Sequence, residues 1–145
     1  MNKPVVAIAS DHAGVAMKAT VKEMLAEHTA EVLDLGTQGG DSVDYPDYAD
    51  AVADAVLSGR AAFGIAICGS GVGMSIAANR HKGIRAALCT DGLTASLARR
   101  HNNANVLCLG ARLIGVEMAR DCVTRFLATP FEGGRHEKRL LKMDN

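Results

Sequence analysis

Phe63-Gly64-Ile65-Ala66-Ile67-Cys68-Gly69-Ser70-Gly71-Val72-Gly73-Met74-Ser75-Ile76-Ala77-Ala78 decides the fold. The stretch opens as an uncharged apolar run, passes through three glycines in five positions, and continues with the composition of a helix. A strand apolar on both faces that turns sharply into a helix is the unit from which parallel sheets are built. Outward in both directions the pattern repeats, with further runs at Val5-Val6-Ala7-Ile8-Ala9, Glu31-Val32-Leu33-Asp34-Leu35, Arg85-Ala86-Ala87-Leu88-Cys89 and Asn105-Val106-Leu107-Cys108-Leu109. Five strands therefore alternate with helices. Between the first two strands Met17, Val21, Met24 and Leu25 recur at the spacing that lines one helical face, as do Tyr48, Val52, Ala55 and Val56 before the third. Pro46, preceded by Asp44-Tyr45, marks a helix start. Periodicity predicts further helices over 72–79, 93–100, 114–127 and 136–143. Gly36-Thr37-Gln38-Gly39-Gly40 reads as a loop, and Gly133-Gly134 separates the last helix from the body, leaving it free to reach away from its own domain.

The 145 residues, with no repeat or long linker, make one domain over 1–145. A 48% hydrophobic, 22% charged composition supplies a core. Lys plus Arg and Asp plus Glu both number 16, so the chain has no net charge with which to bind nucleic acid broadly. The absence of Trp and a 3% aromatic content argue against base-stacking platforms. No apolar run is long enough to cross a bilayer, and the first residues lack the layout of a signal peptide, so a soluble cytoplasmic protein without membrane or nucleic-acid partners is expected. Cys68, Cys89, Cys108 and Cys122 form no C-x-x-C pair and read as free thiols, not as a disulfide framework or zinc site.

Ligands of open parallel sheets bind beyond the carboxyl ends of the strands. There the chain places Ser10-Asp11-His12-Ala13-Gly14, Cys68-Gly69-Ser70-Gly71-Val72-Gly73 and Cys89-Thr90-Asp91-Gly92. The glycine loop lets successive N–H groups face inward at a helix start, a nest for phosphate or a developing oxyanion. No Gly-Lys-Ser/Thr follows it, and it is not the first strand–helix turn, so neither a nucleotide triphosphate loop nor a dinucleotide fingerprint is read. Cys68 beside the nest is a candidate nucleophile or base; a small buried hydrophobe at a strand end is the alternative, and the default for the other three cysteines. Asp11 is either a site acceptor or a helix cap, with His12 in the first turn. Arg100-His101-Asn102 ends the helix before the fifth strand, which places His101 at the opposite sheet edge unless a second subunit returns it. Arg135 and Arg139, at i and i+4 with His136 beside them, make either a phosphate clamp or a solvated basic face.

These residues together carry a resemblance. Ser10-Asp11-His12-Ala13-Gly14, Asp44-Tyr45-Pro46, the run from Ile67 to Asn79, Gly83-Ile84-Arg85-Ala86, His101-Asn102, Gly110-Ala111-Arg112 and Glu132-Gly133-Gly134-Arg135-His136 span the chain. In them the chain resembles the type B ribose-5-phosphate isomerases, within the wider group that holds the galactose-6-phosphate isomerase subunits. The resemblance implies a Rossmann-like three-layer α/β/α sandwich with a five-stranded parallel sheet, assembled as a homodimer or homotetramer. It implies an active site shared between subunits, the C-terminal helix reaching the partner, and aldose–ketose isomerisation of a sugar phosphate with no metal and no cofactor. Cys68 would be the base, Ser70 a hydroxyl that moves a proton near the substrate oxygens, and His101 the residue assisting ring opening. Gly69, Gly71, Val72 and Gly73 would steady the oxyanion. Asp11, His12, Tyr45 and Asn102 would hold substrate, and Arg112, Arg135 and Arg139 the phosphate.

Ser70 stands where many relatives carry Thr, which keeps the hydroxyl. Relatives without the cysteine use a carboxylate on the next helix; Ser75 and Ala77 occupy that region here, which favours the cysteine branch. Other sugars, allose 6-phosphate, erythrulose 4-phosphate or galactose 6-phosphate, are the alternative substrates. A sugar-phosphate binder without turnover, or a redox sensor at Cys68, are the alternatives of other class; the first has no use for Cys68 with His101, and the second lacks a neighbouring resolving cysteine.

Overall fold

The computed structural model describes residues 3–144. The chain runs β1 (Val5–Ser10), a single 3₁₀ turn (His12–Gly14), α1 (Val15–Leu25), β2 (Glu31–Asp34), α2 (Tyr45–Leu57), β3 (Phe63–Cys68), α3 (Val72–Ala78), β4 (Ala86–Leu88), α4 (Gly92–Asn102), β5 (Val106–Gly110), α5 (Val116–Ala128) and α6 (Arg135–Met143). All strand pairs are parallel, in the order β2-β1-β3-β5-β4. β4 is shorter than the expected run, and α5 begins after the expected residue 114.

Alternation along the central strands sorts the core into two layers. Ile65, Ile67, Leu107 and Leu109 face a cluster with Val21 and Leu25 of α1, Ala95 of α4, and Cys122 and Phe126 of α5. Ala66, Cys68, Val106 and Cys108 face the other side, against Val52 of α2 and Met74 and Ala78 of α3. The sheet is thus covered on both faces, as right-handed crossovers between parallel strands require. The residues facing α2 are small for a reason: a Cβ on Gly64 would lie 2.3 Å from Val52 Cγ1. That close approach seats α2 directly on β3, with its N-terminal Tyr45 at the carboxyl end of the sheet.

The last helix does not stand off from the body. His136 and Leu140, one turn apart, are buried. Arg85 Nη1 donates to both Asp144 oxygens at 3.0 and 2.8 Å, and Arg85 Nε donates to the Asn102 carbonyl at 2.9 Å. The glycines at 133 and 134, both at positive φ, turn the chain back onto α4 where the sequence suggested a release. The outer face of α6, with Arg135, Arg139, Leu141 and Met143, remains exposed.

Candidate active site

β3 delivers Cys68 to the carboxyl edge, and the turn after it is shaped around the sulfur. Gly71 N–H donates to Cys68 Sγ at 3.2 Å. Gly71 is at φ +78°, and a Cβ there would lie 2.5 Å from Leu88 Cδ1 and about van der Waals overlap distance, 3.0 Å, from the Leu109 carbonyl carbon. Gly110, at the end of β5, has the Ser70 carbonyl 2.5 Å from where its own Cβ would be, so the loop lies against β5. Val72 N–H donates to Ser70 Oγ at 3.2 Å, and Ser75 Oγ–H donates to the Val72 carbonyl at 2.7 Å, closing the first turn of α3. Gly71 and Val72 N–H are taken up by these bonds, so in this first turn the Gly73 and Met74 N–H groups, which have no acceptor among the described residues, are the ones available to an anionic oxygen.

Around this turn lies an open cavity of about 530 Å³. Asp11, Tyr45, Cys68, Gly69, Ser70, Val72, Gly73 and Arg112 line it, all of them expected from sequence, and Ile76 and Leu113, which sequence reading did not single out, complete its rim. Tyr45 packs against Gly73, where a Cβ would meet the ring at 2.5 Å, and Arg112 covers Gly69. Arg112 is carried by the turn after β5, pinned by its N–H donating to the Gly69 carbonyl at 2.8 Å.

Asp11 caps the turn and also stands at the cavity. Its Oδ1 accepts from Ala13 N–H at 3.0 Å as a cap, and it lines the cavity. His12 does not line it but stands exposed beside it, with Nδ1 accepting from Val43 N–H at 3.1 Å. An accepting Nδ1 leaves the proton on Nε2, making that nitrogen a donor. Behind this corner is a support that sequence reading missed: Lys18 Nζ–H donates to Asp34 Oδ1 at 2.7 Å and to the Thr37 carbonyl at 2.6 Å, and Lys22 Nζ–H donates to Asp34 Oδ2 at 2.9 Å. Burial alone would raise the Asp34 carboxyl, but the bonds from Lys18 and Lys22 outweigh it and hold Asp34 at about 2. The signal was available, because Lys18 stands three residues before Val21 and seven before Leu25, on the core face of α1.

His101, Asn102, Arg135 and Arg139 are not brought to this cavity by their own chain. His101 and Asn102 end α4, at the edge opposite Cys68, as the sequence placed them. Asn102 lines a separate concavity of about 500 Å³ with Arg80, Arg85 and Met143. His101 stacks on His136, ring centroids 4.5 Å apart. Arg139 Nη1–H donates back to the Arg135 carbonyl at 3.1 Å, and both guanidinium groups are exposed. The remaining cysteines are inert by burial, which pushes Cys89 up to about 12, Cys122 up to about 11 and Cys108 higher still.

A family model described as Ribose/Galactose Isomerase matches residues 6–143. A ribose 5-phosphate isomerase from Thermotoga maritima superposes with a TM-score of 0.94 at 57% identity, covering 97% of each chain. The type B ribose 5-phosphate isomerase of Trypanosoma brucei gives a TM-score of 0.95 at 46% identity, covering 99% of this chain and 98% of that one. Ribose-5-phosphate isomerase B of Escherichia coli is 45% identical over 135 residues, 93% of this chain and 91% of its own.

Proposed function

The chain belongs to the ribose/galactose isomerase family, and from its site we infer that it interconverts D-ribose 5-phosphate and D-ribulose 5-phosphate with Cys68 as the base. It is an isomerase; sugar and base are the inference. The observation that carries it is the Gly71 N–H placed 3.2 Å from Cys68 Sγ at the wall of a cavity that also holds Asp11, Tyr45 and Arg112. A proton alpha to a carbonyl is weakly acidic, so its removal needs a base and donors ready for the enediolate in one place.

In this reading Sγ takes the C2 proton of the open-chain aldose and returns it to C1, through a cis-enediolate. The N–H groups between Gly69 and Gly73 hold the oxyanion while the Ser70 hydroxyl passes a proton between O1 and O2. Asp11, His12 and Tyr45 hold the sugar, and Arg112 the phosphate, whose binding orients the reacting carbons. His101, Asn102, Arg135 and Arg139 come from a second copy of the chain in a homodimer, His101 assisting ring opening and the arginines completing the phosphate site. Exposed Val72, Ile76 and Leu113 at the cavity rim, with exposed Leu141 and Met143 on α6, supply apolar surface for that contact. In this reading Cys68 and the N–H groups of the loop supply base and electrophile between them, and no step calls on an organic cofactor.

Kinetics with ribose 5-phosphate in EDTA, beside allose 6-phosphate, erythrulose 4-phosphate and galactose 6-phosphate, test the proposal. Ribose 5-phosphate is expected to have the highest kcat/KM. Cys68→Ala should lower kcat by at least about 10²-fold, the lower end of general-base contributions. Arg139→Ala should act mainly on KM, by roughly 10- to 100-fold for one charged phosphate contact. A Cys68→Ala enzyme with undiminished kcat would remove the base, and a tenfold preference for another sugar, about 1.4 kcal/mol, would change the substrate and leave the chemistry.

A further inference from the structure

The end of α4, the return segment before α6 and the first turn of α6 bring together three metal-ligating side chains. The imidazoles of His101 and His136 and the Glu132 carboxylate each offer a ligand atom, all within 4.8 Å of one another. Glu132 is fixed there by its backbone N–H, which donates to the Arg100 carbonyl at 3.0 Å. The two rings are stacked, 16° from parallel with centroids 4.5 Å apart, so their in-plane lone pairs run side by side, and the His101 ring must turn to share an ion with His136. His136 is 8% exposed, and its Nε2 is buried with no hydrogen-bond partner among the described residues.

The separation of His136 from Glu132 fits an ion better than a hydrogen bond. His136 Nε2 and Glu132 Oε1 are 3.5 Å apart, well beyond the 2.9–3.0 Å of a good N–H···O contact. Two donors each about 2.0–2.1 Å from one tetrahedral ion stand roughly 3.3–3.4 Å from each other. Two imidazoles and one carboxylate form a donor set suited to Zn²⁺ and similar borderline cations, whereas Ca²⁺ and Mg²⁺ take oxygen ligands. His101 is only half-buried, which leaves a side open to water as a fourth ligand. Arg100 Nε lies 3.4 Å from the other carboxylate oxygen, Oε2, so it competes for Glu132 without blocking Oε1. That guanidinium and the adjacent Arg135 weaken a cation's hold, which sets the expected affinity in the micromolar range.

We propose that His101, Glu132 and His136 form a binding site for a borderline divalent transition cation, represented by Zn²⁺, and that its occupancy withdraws His101 from ring opening. The second half rests on the function proposed above; the site itself does not. Coordination uses the lone pair of a neutral imidazole nitrogen, the same group that would otherwise exchange a proton with the sugar ring.

The test is a calorimetric titration of Zn²⁺ into metal-stripped, full-length Cys68→Ala protein, a background that removes the thiol at the other site. One ion per chain is expected, at micromolar Kd. His136→Ala and, separately, Glu132→Gln should each weaken binding by about tenfold or more, as loss of a ligand does. Glu132 is exposed, so its variant answers the question even if the buried His136 proves necessary for folding. In the unmodified enzyme, turnover of ribose 5-phosphate should fall at the same Zn²⁺ concentrations, recover with EDTA, and resist Zn²⁺ in Glu132→Gln. Absence of binding in Cys68→Ala protein, or binding unchanged by both variants, overturns the site. Binding without loss of turnover overturns the inhibition. Binding by a protein that turns over none of the four sugar phosphates upholds the site and refutes the functional proposal.

Discussion

Gly71 is the residue on which the shape of the site turns. Its φ of +78° lies in the left-handed region, and neither the Leu109 carbonyl carbon at 3.0 Å nor the Gly110 nitrogen at 3.1 Å from a built Cβ is free to move as a side-chain end would. Gly71→Ala therefore combines backbone strain with a clash against β5, and about 1–3 kcal/mol of lost stability is expected. Because the same residue's N–H faces Cys68 Sγ, the relaxation that relieves the clash also moves the donor away from the sulfur, and kcat should fall with stability. Chemical denaturation paired with steady-state kinetics checks both; a variant destabilised with unchanged kcat would mean that this N–H does not serve the reaction. Three glycines between 69 and 73 made this turn legible in the sequence, since no other residue type accepts such a backbone so cheaply. What spacing alone left open was whether Asp11 capped a turn or stood at the site, because one carboxylate has two oxygens: Oδ1 takes the cap bond, and the same side chain lines the cavity.

At the scale of elements, α1 and β2 hold the corner that presents His12. Lys18 is 3% exposed in its side chain and ties Asp34 to the Thr37 carbonyl, while the Gly36 carbonyl accepts from Ser10 N–H at 2.7 Å at the end of β1. Lys18→Met leaves the Thr37 carbonyl without its side-chain donor and Asp34 with Lys22 as its only lysine partner, a loss of about 1–3 kcal/mol. Asp34 also makes a prediction in pH. Its carboxyl is held at about 2 in the fold against 3.8 unperturbed, so its stabilisation is complete above about 4 and is lost as pH falls toward 2. Asp34→Asn should be less stable than the parent near neutrality and show a flatter fall in melting temperature between about pH 4 and pH 2. Equal slopes in the two proteins would remove Asp34 from the account. This clamp escaped the sequence reading because a lysine in an amphipathic helix is ordinarily solvated. The strands were legible as apolar runs, yet their order was not: β1, β3 and β5 are buried alike, and only Glu31 and Asp34 in β2 and the brevity of β4 mark the edges.

For the whole molecule, the single chain holds the proposed site in two halves. Cys68 with Asp11, Tyr45 and Arg112 stands at one edge of the sheet, and His101 with Asn102, Arg135 and Arg139 at the other end of α4 and on α6. Sequence order foretold the separation, since a helix that leaves the carboxyl end of β4 must finish near the amino end of β5, but no pattern in one chain states how two chains meet. Packing of α6 onto α4 through His136 and Leu140 gives the second half a rigid base and leaves its arginines pointing outward. A two-fold assembly that joins the halves makes every site a hybrid, one half from each protomer. Cys68→Ala and His101→Ala chains should each be inactive, yet when co-expressed at equal levels they should regain about a quarter of parental activity. About half of randomly paired dimers are mixed, and each mixed dimer has one intact site of two. If both halves served their own chain, a mixed dimer would hold no intact site, and the co-expressed pair would stay as inactive as its parents.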